Sequence, residues 1–295
     1  MPTTHTQNPT LGYAAAIAVT LIWSTWIVAS RSGAQSPLTP YDLAALRYGV
    51  SSIVALPIVL YFKPWQGMTL KRIASVSFLL GPIYILCVFF AFEYAPAAHG
   101  GIFMNGALPA LTLFISWLLF KQRASKLQIV GVVMIIIGAI LAAADATELS
   151  LVNAWIGDGL FFISAIFFTG YMIAARLWNI SPTQVMFCSS IINAILFVPV
   201  WYWWLPSGIN EATQPQLLLQ TLYQGLIPGL VGLLLVATAT RNIGPSATSA
   251  FMAAVPTLGS IIAMIFLDEM LGGLGWLSLL VLTPGILLVV FNSNK

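Results

Sequence analysis

Residues 12–31 read GYAAAIAVTLIWSTWIVASR, and residues 157–176 read GDGLFFISAIFFTGYMIAAR. Laid over each other without a gap, they put Trp23 on Phe168, Ser24 on Thr169, Trp26 on Tyr171, Ala29 on Ala174 and Arg31 on Arg176. Each is an apolar run long enough to cross a bilayer as a helix, which takes about 20 residues. Farther along, FMNGALPALTLFISWLLFKQR (103–123) lies over FMAAVPTLGSIIAMIFLDEML (251–271) with a two-residue slip. That register pairs Pro109 with Pro256, Lys121-Gln122 with Asp268-Glu269 and Gly138 with Gly285. Two echoes in the same order mark an internal repeat. A chance match between generic Leu/Ala/Gly helices is the alternative.

Outward from these stretches, apolar runs fall at 11–30, 41–62, 73–93, 97–120, 127–144, 155–175, 183–205, 217–240, 244–267 and 271–291. The reading is an all-α membrane protein of ten transmembrane helices, in two five-helix repeats at residues 1–148 and 149–295. Five crossings is an odd number, so the second copy runs through the bilayer in the opposite sense. Inverted repeats characterise secondary transporters, which hold their solute near the midplane between the copies.

Composition agrees. Of 295 residues, 59% are hydrophobic and 6% charged, against about 45–50% and about 25% in soluble domains. Eleven Lys and Arg with eight Asp and Glu cannot coat a water-exposed globule, so a soluble or disordered protein is excluded. The net charge of +3 comes from scattered basic residues, which excludes a nucleic-acid patch and leaves the lipid bilayer as the surrounding partner. Cys87 and Cys188 lie inside apolar runs and read as small hydrophobes, with no metal or disulfide framework. Residues 1–10 contain no Lys or Arg, and the run after them is long for a signal peptide, so it reads as a retained helix.

With the amino terminus in the cytoplasm, inner connections hold Lys63, Lys71, Arg72, Lys121, Arg123, Lys126, Arg176, Arg241 and Lys295, and outer segments only Arg31 and Arg47. This positive-inside bias places both termini in the cytoplasm. All eight acids (Asp42, Glu93, Asp145, Glu148, Asp158, Glu211, Asp268 and Glu269) fall on the outer side. Trp201, Tyr202, Trp203 and Trp204 close the seventh run as interfacial anchors.

Pro82, Pro109, Pro228 and Pro256 lie within the third, fourth, eighth and ninth runs, at nearly matching places in the two repeats. Proline removes an amide donor and clashes with the preceding turn. Matched interruptions in the two halves point to a transporter's binding site and to helices that bend as it gates.

These features resemble the EamA-type branch of the drug/metabolite transporter superfamily. The residues that carry the likeness are LIWSTWIVAS (21–30), AALRYGVSSIVALPIVL (44–60), FEYAPAAHGGIFMNGALPALTLFISWLLFKQR with LQIVGVVMIIIGAILAA after it, and ATRNIGPSATSAFMAAVPTLGSIIAMIFLDEML. The likeness spans nearly the whole chain, through motifs that are mostly apolar. One departure stands out: the family often has Glu where this chain has Gln122, while Glu269 keeps the acid in the second copy. That difference favours a helix-end or topological role for the acid. Within the superfamily the chain is most similar to YddG-type exporters of aromatic and other neutral amino acids. The resemblance implies efflux of small amphipathic metabolites from the cytoplasm through the inner membrane; the proline-broken helices of the two repeats predict alternating access, and no cofactor is expected. A transporter of another small metabolite or drug is the alternative within the superfamily.

An amino-acid-like solute needs a cavity with polar groups for its ends and aromatic groups for its body. The candidate cavity residues are Trp23, Ser24 and Trp26, their counterparts Phe168 and Tyr171, and Tyr84, His99 and Asn105. For the aromatic pairs, helix packing competes with solute binding. Asn105 is costly facing lipid, so it faces either a cavity or a hydrogen-bonding helix. His99 near neutral pH suits proton coupling or carboxylate binding, or else an interfacial position reaching water.

Other function classes are poorly served. No Lys follows Gly in a GxxxxGK[ST] loop, so an ATP-driven pump is disfavoured. Two histidines and no carboxylate pair at depth offer an intramembrane enzyme little acid–base or metal chemistry. The oligomeric state is left open by these features.

Overall fold

The computed structural model describes residues 8–145 and 153–292; Glu148 and Lys295 lie outside these segments. Ten helices long and apolar enough to span a membrane are present among the described residues. They are α1 (Pro9–Ala34), α2 (Pro40–Phe62), α3 (Leu70–Tyr94), α4 (Ala97–Phe120), α5 (Lys126–Ala143), α6 (Ala154–Leu177), α7 (Pro182–Trp204), α8 (Gln214–Ile243), α9 (Ala247–Phe266) and α10 (Gly273–Phe291).

Local chemistry sets the helix starts. Thr39 and Ser181 cap α2 and α7, each followed by Pro and each paired reciprocally with the residue three on, Asp42 or Gln184. Thr213 and Gln216 form the same box at α8, and Ser125 with Gln128 at α5. Such boxes satisfy backbone donors that the first turn leaves free. Lys121 and Asp268, aligned in the repeat, both end their helices in the left-handed region, each at φ 55°.

Packing follows the repeat. α1 packs on α8 as α6 packs on α3; α1 meets α9 as α6 meets α4; α8 meets α2 as α3 meets α7. The pairs α2/α7, α4/α9 and α5/α10 map onto themselves. Exchanging each helix with the one five places later therefore leaves these neighbours unchanged. Individual residues obey the same exchange. A methyl group built on Gly12 would lie 2.6 Å from Ile243 of α8, and one on the matching Gly157 2.5 Å from Ala95 beyond α3. At the α5/α10 seam, a methyl group on Gly131 would lie 2.6 Å from the Gly285 carbonyl. Small residues allow close helix approach in lipid, where association rests on van der Waals contact.

The outward faces are apolar: Ile53, Ile140, Leu234 and Leu280 are each more than half exposed. A water-facing surface of this kind would be an aggregation hazard, whereas hydrocarbon solvates it.

All four singled-out prolines sit where a spanning helix is interrupted. α3 breaks at Leu80–Gly81 and restarts at Pro82. α4 runs through a π-helical segment, Gly100–Asn105, and restarts at Leu108 with Pro109 in its first turn. α8 breaks at Leu226, followed by a π-helical segment, Ile227–Val231, that contains Pro228. α9 breaks after Met252 and restarts at Val255 with Pro256. Proline tolerates the first turn of a helix, where its missing N–H has no partner to lose. Pro57, Pro199 and Pro284 remain inside continuous helices. α7 has a further π-helical segment at Phe187–Ile192.

Candidate functional site

Where the breaks of α3, α4 and α8 meet the π-helical stretch of α7, the bundle encloses a cavity of about 160 Å³. At about 10–15 Å³ per water centre, this is room for on the order of ten waters, far more than a packing defect. α1 contributes Trp23 and Trp26, α2 Arg47, Tyr48 and Ser51, α3 Leu80 and Tyr84, and α4 Met104, Asn105 and Leu108. From the second half come Phe168 and Tyr171 of α6, Val185, Met186, Ser189 and Ser190 of α7, and Gln224 with Gly225 and residues 228–230 of α8. Irregular backbone at membrane depth is tolerated where it lines such a cavity or is buried in protein.

The walls are held by polar contacts behind them. Trp26 Nε1 donates to Gln224 Oε1 at 2.9 Å, and Gln224 Nε2 donates to Gln220 Oε1 at 2.9 Å and Ser30 Oγ at 3.2 Å. Gln220 Nε2 in turn donates to the Ala29 carbonyl at 2.8 Å. This ladder fastens α8 to α1. At the α3 break, the Leu80 carbonyl accepts from the Tyr48 hydroxyl at 3.0 Å and from Asn193 Nδ2 at 3.3 Å. The rings of Tyr84 and Phe168 are 5.9 Å apart, and those of Phe168 and Tyr171 5.5 Å apart. Facing the cavity with no hydrogen bond to a described residue are the polar ends of Arg47, Tyr84, Asn105 and Tyr171.

Six of the eight candidate cavity residues thus converge: Trp23, Trp26, Tyr84, Asn105, Phe168 and Tyr171. Ser24 and His99 do not reach this cavity. Ser24 is fully buried on the other side of α1, where its hydroxyl donates to the Thr20 carbonyl at 2.8 Å and approaches the Val255 carbonyl of α9 at 3.4 Å. His99 Nδ1 lies 2.7 Å from Asp158 Oδ1, joining α4 to α6. It borders a separate cavity of about 40 Å³ with Asp145 and Glu269. Of the prolines, Pro228 lines the main cavity; Pro82, Pro109 and Pro256 shape the breaks around it.

Sequence reasoning missed Arg47, Tyr48, Ser51, Ser189, Ser190 and Gln224. Arg47 was visible as a base inside an apolar run, and Gln220 with Gln224 as a polar i, i+4 pair on one helix face.

The helix ends that carry the acids are tied together. Arg31 Nε lies 2.6 Å from Glu269 Oε1, both groups buried, and Arg31 also donates to the Phe92 carbonyl. Glu269 Oε2 accepts the Ala97 N–H that opens α4, at 2.7 Å. Asp42 accepts from Trp201 Nε1 and from the Gly208 N–H, each at 2.8 Å, which holds α2 to α7. Asp145 accepts the Gly272 N–H at 2.8 Å. The Arg31–Glu269 ion pair and the His99–Asp158 contact both lie at this end. At the other end Arg176 and Gln122, the counterparts of Arg31 and Glu269, are exposed. Tyr202, Trp203 and Trp204 are largely exposed at the end of α7, as interfacial anchors are.

The EamA-like transporter family model matches the chain twice, over residues 10–144 and 155–291. The uncharacterized transporter YwfM of Bacillus subtilis (strain 168) is 23% identical over 275 residues, covering 90% of each chain. The uncharacterized transporter YyaM of the same organism is 24% identical over 241 residues, covering 76% of each. A crystal structure 17% identical in sequence superposes with a TM-score of 0.62, covering 95% of this chain and 96% of the other, and so shares the fold. Ten apolar helices around a mainly apolar cavity with interspersed polar groups, in a chain matched along both halves, make this multi-pass membrane protein a member of the EamA-like transporter family.

Proposed function

We propose that this transporter exports small amphipathic metabolites, foremost aromatic and other neutral amino acids, from the cytoplasm across the inner membrane. The observation that carries the reading is the cavity between the halves: an aromatic wall from Trp23, Trp26, Phe168 and Tyr171, interspersed with polar groups, of which Arg47, Tyr84, Asn105 and Tyr171 have no hydrogen bond to a described residue. Such groups are costly to bury unless a ligand or water receives them. A solute with an apolar body and polar ends meets both demands. Another metabolite or drug of similar size is the alternative substrate.

The mechanism is alternating access. Residues 1–148 and 149–295 act as two repeats of opposite sense, both termini in the cytoplasm. The helices broken near Pro82, Pro109, Pro228 and Pro256 bend about the cavity and expose it to either side in turn. The structure's tied end is the outer one on this reading, so Arg31–Glu269 and His99–Asp158 must part when the cavity opens outward. The solute leaves chemically unchanged, with no cofactor.

Counterflow in liposomes tests this. Purified protein should exchange labelled phenylalanine or tryptophan across the membrane unaltered, with or without a pH gradient. Flux equal to that of protein-free liposomes, or conversion of the solute, contradicts it. In cells, a cysteine replacing Ala124 should label from the cytoplasm and one replacing Thr147 from outside; the reverse pattern overturns the orientation.

A further inference from the structure

Arg47 holds a position that packing alone does not account for. It lines the cavity from α2, and its guanidinium carbon lies 6.0 Å from the centroid of the Trp26 ring. It makes no hydrogen bond or ion pair with any described residue; the Arg31–Glu269 pair and the His99–Asp158 contact lie elsewhere. Asp42, the acid nearest on its own helix, is occupied by Thr39, Trp201 and Gly208. No Asp or Glu lines the cavity. The site therefore carries one fixed positive charge, no fixed negative charge and a set of neutral polar groups.

Arg47 is partly buried, and its five N–H donors face a cavity without an acid, so an aromatic face alone does not satisfy them. Cation–π attraction to the Trp26 ring engages the charge but none of the N–H donors as hydrogen bonds. Water in the cavity can accept from these donors, but only an anion also matches the charge. The planar fork of arginine matches a carboxylate through two parallel hydrogen bonds. Its platform is fixed, because Trp26 is held by Gln224, and Gln224 by Ser30 and Gln220.

We propose that Arg47 anchors the carboxylate of the solute, so that the cavity selects organic monoanions with an aromatic or apolar body and requires no amine. This rests on the reading of the cavity as the solute site and narrows it. A free amine without a carboxylate meets only repulsion from Arg47. An amino acid binds through its carboxylate, with its ammonium received by neutral oxygens such as those of Asn105 and Tyr84.

The test is equilibrium binding to detergent-purified full-length protein, read by calorimetry, with four matched compounds: phenylalanine, 3-phenylpropionate, phenylalaninamide and phenethylamine. The two carboxylates should bind, and the amide and amine should bind about 10- to 100-fold more weakly, the range for a lost charged hydrogen bond. Arg47→Gln should erase that preference, and Arg47→Lys should retain it at reduced affinity. The wild-type series decides the matter without any variant. If phenethylamine or the amide binds as well as 3-phenylpropionate, or if Arg47→Gln keeps the preference, the anchor is overturned while the cavity stands. If none of the four binds, the cavity as solute site fails as well.

Discussion

Arg31 of α1 and Glu269 beyond α9 form a buried ion pair at 2.6 Å, and their repeat counterparts Arg176 and Gln122 are exposed at the opposite end. Glu269 also accepts the Ala97 N–H, so one carboxylate binds three helices: α1, α4 and α9. The acid is kept where it is buried against a base and replaced by an amide where it is exposed. The repeat is thus symmetric in backbone and asymmetric in its end-to-end charge pairing.

Removing one partner of such a pair leaves a buried charge, which costs about 3–5 kcal/mol, whereas replacing both by apolar groups is often nearly neutral. Glu269→Ala is expected to lower the unfolding temperature in detergent clearly. The double change Arg31→Met with Glu269→Met should recover most of the loss. Equal melting of Glu269→Ala and wild type would show that the pair has no structural weight.

An acid at the exposed counterpart gives Arg176 the partner that Arg31 has. Gln122→Glu should favour closure of that end, slow counterflow several-fold and raise labelling of the cavity from the Arg31 side. Unchanged flux and unchanged labelling would separate the ion pair from the transport cycle.

Glycines at the α5/α10 seam are fitted to their neighbours. Gly131→Val would push side-chain atoms into the Gly285 carbonyl, since a methyl group alone already lies 2.6 Å from it. Overpacking typically costs about 1–3 kcal/mol, and thermal melts should report it. At Gly159 of α6 a methyl group meets nothing within 4 Å. Gly159→Ala should be neutral or stabilising by about 0.5–1 kcal/mol, through helix propensity. Equal effects at the two positions would contradict the packing described.

Within the cavity, Trp23→Ala, Tyr84→Ala and Asn105→Ala should reduce counterflow while leaving membrane insertion and expression near wild type. All three side chains line the cavity, and replacing Tyr84 or Asn105 breaks no hydrogen bond among the described residues. Wild-type flux in all three would remove the site.

Much of this architecture was legible in the residues. Ten apolar runs, and prolines at matched places, follow from the physics of the bilayer and of a missing amide donor. Pro57, Pro199 and Pro284 are chemically the same residue yet break no helix, because an interruption depends on what neighbouring helices supply to the freed carbonyls. Trp23, Trp26, Phe168 and Tyr171 were found through the repeat, which reports equivalence. Ser24, between the two tryptophans in sequence, was not separable from them, since its direction is set by α9. His99 was visible as a lone histidine, but Asp158 lies 59 residues away, and only the packing of α4 on α6 joins them. Arg47 read as a charge bearing on orientation; that it lines the cavity while Asp42 of the same helix is engaged by Thr39, Trp201 and Gly208 is a property of the folded bundle.

The central claim is that one cavity is reached from both sides in turn. A single cysteine replacing Ser189, which lines the cavity from α7, in a background with Cys87→Ala and Cys188→Ala, tests it in sealed vesicles of either orientation. A membrane-impermeant thiol reagent applied to each face should label that cysteine from both, and phenylalanine should slow both reactions. Labelling from one face only, or labelling unaffected by phenylalanine, would contradict the account.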